Sequence, residues 1–387
     1  MKKKIAILGS TGSIGGSLLK IVSKNKNNFD IILLTANKNY RKLLKQTKNF
    51  KVKNVIITNE ESFIKFNKIN KNKNIKSYNS FKYLHKIFAK KIDYVMSSII
   101  GLDGLDPTVQ IIKYTKIIAI ANKEAIICGW NLIKKKINQY NTNFIPVDSE
   151  HFSIWYGLKN QSISNIDKIY LTASGGPLLK IPNHKFNSLK INEILKHPNW
   201  KMGKKISVDS STMMNKVFEI IEARNIFNIG FEKLSILIHP KSYLHAILFF
   251  KNGMINIIAH ETTMEIPILN SIDLNSNLMI VSKKLNLEKL NELKLEKINK
   301  KKFPLVNILN IIPNKISLFE TILVSANDEL VRLYLNKKIK YLDINKKLIK
   351  ILNLKEFKKY KNIKANKVSD ILDLDKYVRL KINSNGV

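Results

Sequence analysis

The chain has 387 residues, of which 44% are hydrophobic, so it is long enough for two or three domains with sizeable cores. It has no apolar run of about 18 residues or more, which argues against a membrane-spanning helix, and its single cysteine, Cys128, excludes an internal disulfide and suits the cytoplasm. The net charge of +38 comes from lysines scattered along the whole chain, without a dense basic patch or interleaved aromatic residues, and it therefore does not favour a nucleic-acid partner.

Apolar, β-branched runs alternate with helical patterns in the first 150 residues. Strands are predicted at 4–8, 31–35, 54–58, 94–96, 117–121 and 144–147, with helices between them, notably at 16–23 and 40–48. Such an alternation is typical of a parallel sheet covered by helices on both faces. We therefore expect residues 1–150 to form a doubly wound, Rossmann-like domain of the kind that binds nucleotides.

Residues 151–387 divide into three parts. Residues 151–274 are predicted to form a second α/β domain with strands at 169–172, 234–238 and 246–250 and a helix at about 211–224. Within it, the glycine- and proline-punctuated segment 175–205 is typical of a lid loop. Residues 275–305 are interpreted as a linker, and residues 306–387 as a small C-terminal helical bundle.

A glycine loop directly follows the first predicted strand and opens the first helix. Gly9, Gly12 and Gly15 have the spacing GxxGxxG, which lets backbone N–H groups approach a pyrophosphate at the helix N-terminus. A purely structural glycine turn is the alternative. The position of the loop, between a strand and a helix at the start of the chain, favours a dinucleotide.

The end of the second predicted strand indicates which dinucleotide is bound. NAD-binding folds usually carry an acidic residue there, whereas this chain has Asn37, Lys38 and Asn39. A lysine beside amides would attract the 2′-phosphate of NADPH. The alternative is that Lys38 is one more solvated lysine.

Two carboxylates follow the strand predicted at 144–147. Asp148 and Glu150 share strand parity, so both can point the same way at the carboxyl end of the sheet. Oxygen ligands at this density suit Mg²⁺ or Mn²⁺. An ordinary polar loop is the alternative.

A third carboxylate lies in the helix predicted after the Ser/Thr cluster at 210–212. Asn215 and Glu219 fall on one face of that helix, with Lys216 adjacent. Lysine and asparagine suit a phosphate, and Glu219 suits the metal. An exposed Lys216–Glu219 pair is the alternative.

These motifs together resemble the 1-deoxy-D-xylulose 5-phosphate reductoisomerase family. The segments that carry the resemblance are GSTGSIG at 9–15, ANKE at 121–124, PVDSEH at 146–151, LTASGGP at 171–177, HPNWKMGKKISVDSSTMMNK at 197–216, IEAR at 221–224 and LIHPKSYLH at 237–245. The match runs from residue 1 to about 250. Beyond it, only a helical character and a degraded Ser-Ala-Asn-Asp-Glu at 325–329 resemble the family.

The resemblance implies a role for each matching residue. The metal ligands would be Asp148, Glu150 and Glu219, which together with Lys123 would be the catalytic residues. The substrate would contact Lys123, Ser149, Glu150, Ser174, His197, Trp200, Met202, Ser210, Asn215, Lys216 and Glu219. NADPH would contact Gly9, Thr11, Gly12, Ser13, Ile14, Gly15, Asn37, Lys38, Asn39, Asn122, Glu124 and Gly203. Trp200 would close over the substrate as part of the lid, with anchoring of the loop in the core as the alternative.

The implied reaction is the NADPH- and metal-dependent rearrangement and reduction of 1-deoxy-D-xylulose 5-phosphate to 2-C-methyl-D-erythritol 4-phosphate, in the non-mevalonate route to isoprenoid precursors, by a homodimer. The chain departs from the family pattern at Asn37, at Ala125 and over 261–265, where an arginine is lost. Two alternatives remain: a simple NADP-dependent sugar-phosphate dehydrogenase and a basic nucleic-acid-binding protein.

Overall fold

The computed structural model describes residues 2–200, 202–274, 278 and 285–384, and none of the helices in these ranges is long and apolar enough to cross a bilayer. The strands and α-helices in chain order are β1 (Lys3–Leu8), α1 (Ser13–Lys24), β2 (Phe29–Ala36), α2 (Tyr40–Asn49), β3 (Asn54–Ile57), α3 (Glu60–Ile69), β4 (Lys76–Tyr78), α4 (Leu84–Ile87), β5 (Ile92–Ser97), α5 (Leu105–Ile111), β6 (Thr115–Ile120), α6 (Lys123–Gln139), β7 (Asn143–Pro146), α7 (Ser149–Gly157), β8 (Ile166–Ala173), α8 (Ile191–Ile194), α9 (Lys204–Ser211), α10 (Met214–Phe227), β9 (Leu234–Ile238), β10 (Leu244–Phe250), β11 (Ile255–Ala259), α11 (Glu265–Ile272), α12 (Leu287–Asn291), β12 (Glu296–Lys297), α13 (Phe319–Leu335), α14 (Tyr341–Leu352), α15 (Lys355–Lys358) and α16 (Val368–Ser384).

The first of two units comprises 1–125, 132–152 and 264–281 and is built on a parallel sheet. Its strand order is β4-β3-β2-β1-β5-β6-β7, with every pairing parallel. The central strands are apolar runs buried on both faces, as Ile5–Leu8 in β1 are, because helices cover the sheet on each side. This confirms the predicted Rossmann-like fold and puts the β1–α1 and β2–α2 turns and the end of β7 at the carboxyl edge of the sheet.

The second unit comprises 126–131, 153–263 and 282–387 and contains a mixed sheet and the C-terminal helices. The strand order is β11-β10-β8-β9-β12, in which only β8 and β9 are parallel. Almost every side of helix α10 is buried, including the sides that carry charged residues. The helical character predicted after residue 306 is confirmed by α13 to α16.

Several local expectations differ from the structure. The predicted helix at 211–224 begins instead at Met214, because Met213 adopts a left-handed conformation (φ 64°) and separates it from α9. The Ser/Thr cluster therefore ends α9 rather than opening α10. Strands β4, β11 and β12 are additional. Strand β4 has only three residues, and β12 has two and lies in the predicted linker. Strand β11 is the return strand of a hairpin whose turn carries Gly253 at φ 85°. Residues 275–277 and 279–284 of the predicted linker lie outside the described residues.

Candidate active site

The glycine loop lies between β1 and α1, as predicted, and its shape fits a pyrophosphate. A Cβ on Gly15 would lie 2.6 Å from the carbonyl oxygen of Gly9, so only glycine allows this close approach. Gly12 caps α1 without a side-chain hydrogen bond, and the first turn carries no acidic residue. The uncapped N–H groups and the positive end of the helix dipole therefore suit an anion.

Three more of the predicted cofactor residues lie in this loop and in the first turn of α1. Thr11, Ser13 and Ile14 belong to it or to the first turn of α1, and the Thr11 carbonyl accepts a hydrogen bond of 2.8 Å from Lys42 Nζ. Lys42 was not among the predicted residues, and its position in the first turn of α2 is the sequence signal that identifies it. It adds a cation beside the loop.

The predicted 2′-phosphate residues form the exposed turn between β2 and α2. Asn37 donates to Thr58 Oγ1 at 2.8 Å, and Asn39 caps α2 by accepting from the Lys42 N–H. Lys38 is exposed, and its carbonyl accepts from Ser62 Oγ at 3.1 Å. The turn is therefore fixed by its backbone and its two asparagines, while the Lys38 ammonium stays accessible to a ligand.

Helix α6 begins with the predicted Asn122-Lys123-Glu124 motif. Asn122 caps the helix and donates to the carbonyls of Ile99 and Gly101, at 2.5 and 2.7 Å. These bonds anchor the start of the helix to the loop after β5. Glu124 is 6% exposed in the first turn, where a carboxylate is favoured by the dipole.

The two carboxylates after β7 differ from the expectation in their local structure. Ser149 and Glu150 are the first residues of α7, so the strand-parity argument for Asp148 and Glu150 was wrong. Asp148 Oδ1 accepts a hydrogen bond of 3.3 Å from the Glu150 N–H, as a residue at a helix start does. The helix turn still places one oxygen from each carboxylate within 4.8 Å of the other.

Cationic and polar groups surround these carboxylates within the first unit. Lys123 Nζ lies 3.4 Å from Asp148 Oδ2, and His151 Nδ1 lies 3.3 Å from Asp148 Oδ1, with His151 fully buried. Ser149 Oγ donates to Glu150. Two ionised carboxylates so close repel each other, and a hard divalent cation is the partner that their oxygens fit best.

In the second unit, α10 carries the third predicted carboxylate. Glu219 is 2% exposed and Lys216 4%, and each contacts the other, so the alternative of an exposed surface pair is wrong. Asn215 Nδ2 also donates to Glu219. A buried carboxylate held by an ammonium and an amide is oriented by them, which is what a ligand site requires.

Two of the predicted phosphate residues, Ser174 and Ser210, lie beside the Gly-Gly turn after β8. Ser174 Oγ accepts a hydrogen bond of 3.0 Å from the Gly176 N–H. Gly176 has φ 66°, and a Cβ there would lie 2.6 Å from the Ser210 carbonyl oxygen. The turn therefore lies against the end of α9 and brings Ser174 close to Ser210.

His197 links this turn to the predicted lid. Its Nδ1 accepts from the backbone N–H groups of Asn199 and Trp200, at 3.2 and 3.0 Å, so the proton resides on Nε2, which donates to Ser174 Oγ at 3.0 Å. Burial lowers the pKa of His197 to about 4, so the ring is neutral at neutral pH. A neutral ring is the form that can accept both N–H groups.

The predicted lid has anchored and less buried parts. Leu178, Phe186 and Ile194 are buried, and Lys302 Nζ donates to the carbonyls of Leu179 and Ile181. The remaining predicted residues, Trp200, Met202 and Gly203, lie after these anchors; Trp200 and Met202 are half-buried, and Gly203 caps α9. Trp200 is thus no fully buried core anchor.

Sequence reasoning missed a set of residues that support α9. Asp209, 2% exposed, accepts a hydrogen bond of 2.8 Å from Asn327 Nδ2 in α13, and Tyr341 donates to Ser211 Oγ at 3.1 Å. Lys205 lies 2.8 Å from Asp328 Oδ1. The degraded Ser-Ala-Asn-Asp-Glu at 325–329 was the available signal, since it supplies Asn327 and Asp328.

Comparisons with known proteins find matches along almost the whole chain. Family models match over 5–129 (1-deoxy-D-xylulose 5-phosphate reductoisomerase), 144–227 (1-deoxy-D-xylulose 5-phosphate reductoisomerase C-terminal domain) and 260–381 (DXP reductoisomerase C-terminal domain). A 1-deoxy-D-xylulose 5-phosphate reductoisomerase of Pelagibacter ubique is 57% identical over 387 residues, covering 100% of both chains, and one of Clostridium tetani is 34% identical, covering 98% of this chain and 100% of that one.

Solved structures are similar over almost the whole chain. The reductoisomerase of Zymomonas mobilis in complex with NADPH superposes with a TM-score of 0.88 at 28% identity, covering 98% of each chain. A DOX-P reductoisomerase in complex with NADPH, fosmidomycin and magnesium gives a TM-score of 0.89 at 27% identity, covering 99% of this chain and 98% of that one.

Acidification is expected to loosen the segment 195–203 through His197. The pKa of His197 in the folded state lies below the ordinary value of 6.5, so the folded segment favours the neutral ring. The stability that this ring gives the segment is therefore fully present above about pH 6.5 and is lost as the pH falls toward about 4. Hydrogen–deuterium exchange, corrected for the intrinsic effect of pH, should show falling protection of this segment over that range. A His197→Asn variant, whose amide oxygen can still accept, should lose the pH dependence; equal acid sensitivity in the variant would contradict the assignment.

Proposed function

The chain belongs to the 1-deoxy-D-xylulose 5-phosphate reductoisomerase family, and we propose that it converts 1-deoxy-D-xylulose 5-phosphate to 2-C-methyl-D-erythritol 4-phosphate with NADPH as reductant. The observation that carries the proposal is the 57% identity over the full length to a relative of that name. The product would serve isoprenoid precursor biosynthesis by the non-mevalonate route. A single, buried cysteine supports a cytoplasmic site of action.

Asp148, Glu150 and Glu219 are the metal ligands in this proposal. Their support is chemical: all three offer hard oxygen donors, and the partners of each are described above. A bound Mg²⁺ or Mn²⁺ supplies a Lewis acid for the substrate's ketone and adjacent hydroxyl oxygens. Lys123, beside Asp148, offers an ammonium that can donate to a substrate hydroxyl, and Ser149 offers an O–H at the start of α7.

The substrate phosphate is assigned to Ser174, Ser210, Asn215 and Lys216, with His197 nearby. The Ser174 hydroxyl already accepts from His197 and Gly176, so its own proton is available to a phosphate oxygen. Lys216 brings a positive charge from a buried position, where it is screened little by water. These groups fix one end of the substrate, so the reacting end is held in a single orientation.

NADPH, which supplies the hydride, is assigned to the glycine loop, the β2–α2 turn, Asn122, Glu124 and Gly203. The uncapped N-terminus of α1 would hold the pyrophosphate, and the accessible Lys38 the 2′-phosphate. The segment 195–203, with Trp200 and Met202, would close over the substrate and exclude water from the reacting carbonyl group.

A homodimer is proposed through one face of the five-stranded sheet. Ile255 and Ile257 of the edge strand β11 are 53% and 52% exposed, and they pair across the ladder with Phe249 and Ile247. Tyr170 in β8 extends the same apolar face. A second copy of the chain is the partner that this face would bury.

Sedimentation equilibrium tests the dimer. The native protein should have twice the mass of one chain, and Ile257→Lys should yield monomers, because a charge in a buried apolar interface is costly. The matched control is Leu380→Lys in α16, equally apolar and 68% exposed, which should stay dimeric. A monomeric native protein, or an unaltered dimer in Ile257→Lys, would contradict this interface.

The reaction is tested by turnover with ¹³C-labelled 1-deoxy-D-xylulose 5-phosphate, NADPH and Mg²⁺ or Mn²⁺. The proposal expects NADPH oxidation that needs both the sugar phosphate and the cation, with a branched product in the ¹³C spectrum. A reduced product with an unbranched skeleton would instead indicate a simple NADP-dependent dehydrogenase. Binding of RNA or DNA at low salt, without turnover, would support the nucleic-acid alternative.

Glu219→Gln should lower kcat by at least about 100-fold, because it replaces a ligand charge while keeping the side-chain volume. NADPH binding, measured by the fluorescence of the reduced nicotinamide, should remain within about 2-fold of native, since the proposed NADPH contacts do not include α10. Glu232→Gln, at a residue without an assigned role, is the control and should leave both unchanged. A Glu219 variant that loses NADPH affinity but keeps turnover would refute the assignment.

A further inference from the structure

Two imidazole rings stack face to face at one end of the β10–β11 hairpin. The rings of His245 and His260 have centroids 3.7 Å apart and planes inclined by 18°, and His245 is 1% exposed. The ladder explains the geometry: Leu244 pairs with Ala259 and Ala246 with Ile258, so His245 is the extra residue of a β-bulge. A bulge turns a side chain away from the regular alternation, here onto the ring of His260.

Backbone hydrogen bonds fix both rings. His245 Nε2 lies 3.2 Å from the His260 carbonyl oxygen and therefore donates to it. His260 Nδ1 in turn donates to the Glu261 carbonyl at 2.8 Å, and the His260 N–H donates to the Tyr243 carbonyl at 3.0 Å. His260 thus holds His245 twice, through its ring and through its own carbonyl group.

Burial favours the neutral form of the His260 imidazole. Burial lowers the pKa of His260, against the opposing effects of the backbone bond to Glu261 and of the Glu261 carboxylate. That carboxylate is 2.8 Å from Lys289 Nζ, which offsets its charge. The stack is therefore a packing contact that requires no charge on His260.

Trp200 contacts the His245 ring of this pair. Its ring meets the His245 ring edge to face, with centroids 6.2 Å apart and an angle of 71°. Trp200 lies in the predicted lid, and its backbone N–H donates to His197 Nδ1. His260, His245 and Trp200 thus form a column that runs from the β10–β11 hairpin to the proposed lid.

We propose that His260 is a positioning residue for the reductoisomerase reaction, which holds the His245 ring so that Trp200 is seated for closure over the substrate. This inference rests on the proposed function. A contact made by the lid to bound substrate depends on where Trp200 starts, and a displacement of about 1 Å can cost up to about 100-fold in rate. His260 itself touches neither substrate nor cofactor; it acts through His245.

Three variants test the proposal: His260→Ala removes the stack, His260→Phe keeps an aromatic ring without its nitrogens, and His85→Ala is the control at an exposed histidine. The first readout is the emission of Trp200 in the protein without ligands, taken as the difference between each variant and the same variant carrying Trp200→Phe. The second is kcat and KM for 1-deoxy-D-xylulose 5-phosphate with NADPH and Mg²⁺.

His260→Ala should shift the Trp200 emission to longer wavelength and raise KM about 10-fold with a smaller change in kcat, as expected when a binding contact is lost. His260→Phe should restore both readouts, and His85→Ala should match native. Unchanged Trp200 emission in His260→Ala, or a Phe variant that is as impaired as the Ala variant, overturns the proposal. If the Ala variant does not fold, native behaviour of the Phe variant supports it and impaired KM in that variant overturns it. If the native protein shows no turnover, the proposed function is wrong. The Trp200 emission of the His260 variants then still shows whether His260 positions Trp200.

Discussion

Burial of ionisable side chains in α10 is the constraint on which the second unit depends. The ionisable residues Lys216, Glu219, Glu222 and Arg224 and the polar Asn225 are each less than 5% exposed in this one helix. A charge removed from water must be paired and hydrogen-bonded, or the fold loses several kcal/mol. Each of these groups therefore dictates what packs beside it, and the helix cannot rotate or slide without breaking those pairs.

The partners of Arg224 show how far this requirement reaches. Its guanidinium lies 2.6 Å from Glu320 Oε1 in α13, and the carboxylate of Glu320 also accepts from Ser317. Burial raises the pKa of Glu320, while Arg224 and Ser317 oppose that shift. The neighbouring Asn225 donates to the Ile126 carbonyl. Helix α13 thus holds α10, which bears Glu219, through the Arg224–Glu320 pair. It also holds α9, which bears Ser210, through the hydrogen bond from Asn327 to Asp209.

The local sequence was sufficient for the GxxGxxG loop and for the central strands of the first sheet, which follow from glycine geometry and from burial on both faces. The capping rule failed at the Ser/Thr cluster, which ends α9 instead of opening α10. Asp148 and Glu150 were identified as a pair for the wrong reason, because the strand ends at Pro146 and a helix begins at Ser149. An Asp-x-Glu that follows an apolar strand fits both a continuing strand and the start of a helix, so the sequence pattern alone did not distinguish the two structures.

Features that depend on long-range packing escaped the sequence. Nothing local to Lys216 and Glu219 says that they are buried, since an i,i+3 pair is common on exposed helices. Asn327 lies 118 positions from its partner Asp209, and the His245–His260 stack requires the register of a hairpin with a bulge. Such contacts are set by tertiary structure, and in this chain they hold the residues assigned to phosphate and lid.

Binding of Mn²⁺ tests most directly the central proposal, that Asp148, Glu150 and Glu219 are ligands of one divalent cation. Electron paramagnetic resonance of the free ion during a titration gives the number of sites and their affinity without requiring turnover. The account predicts one tight Mn²⁺ per chain and a loss of affinity of at least about 10-fold in Asp148→Asn and in Glu219→Gln alike. Native affinity in either variant would contradict a site built from all three carboxylates.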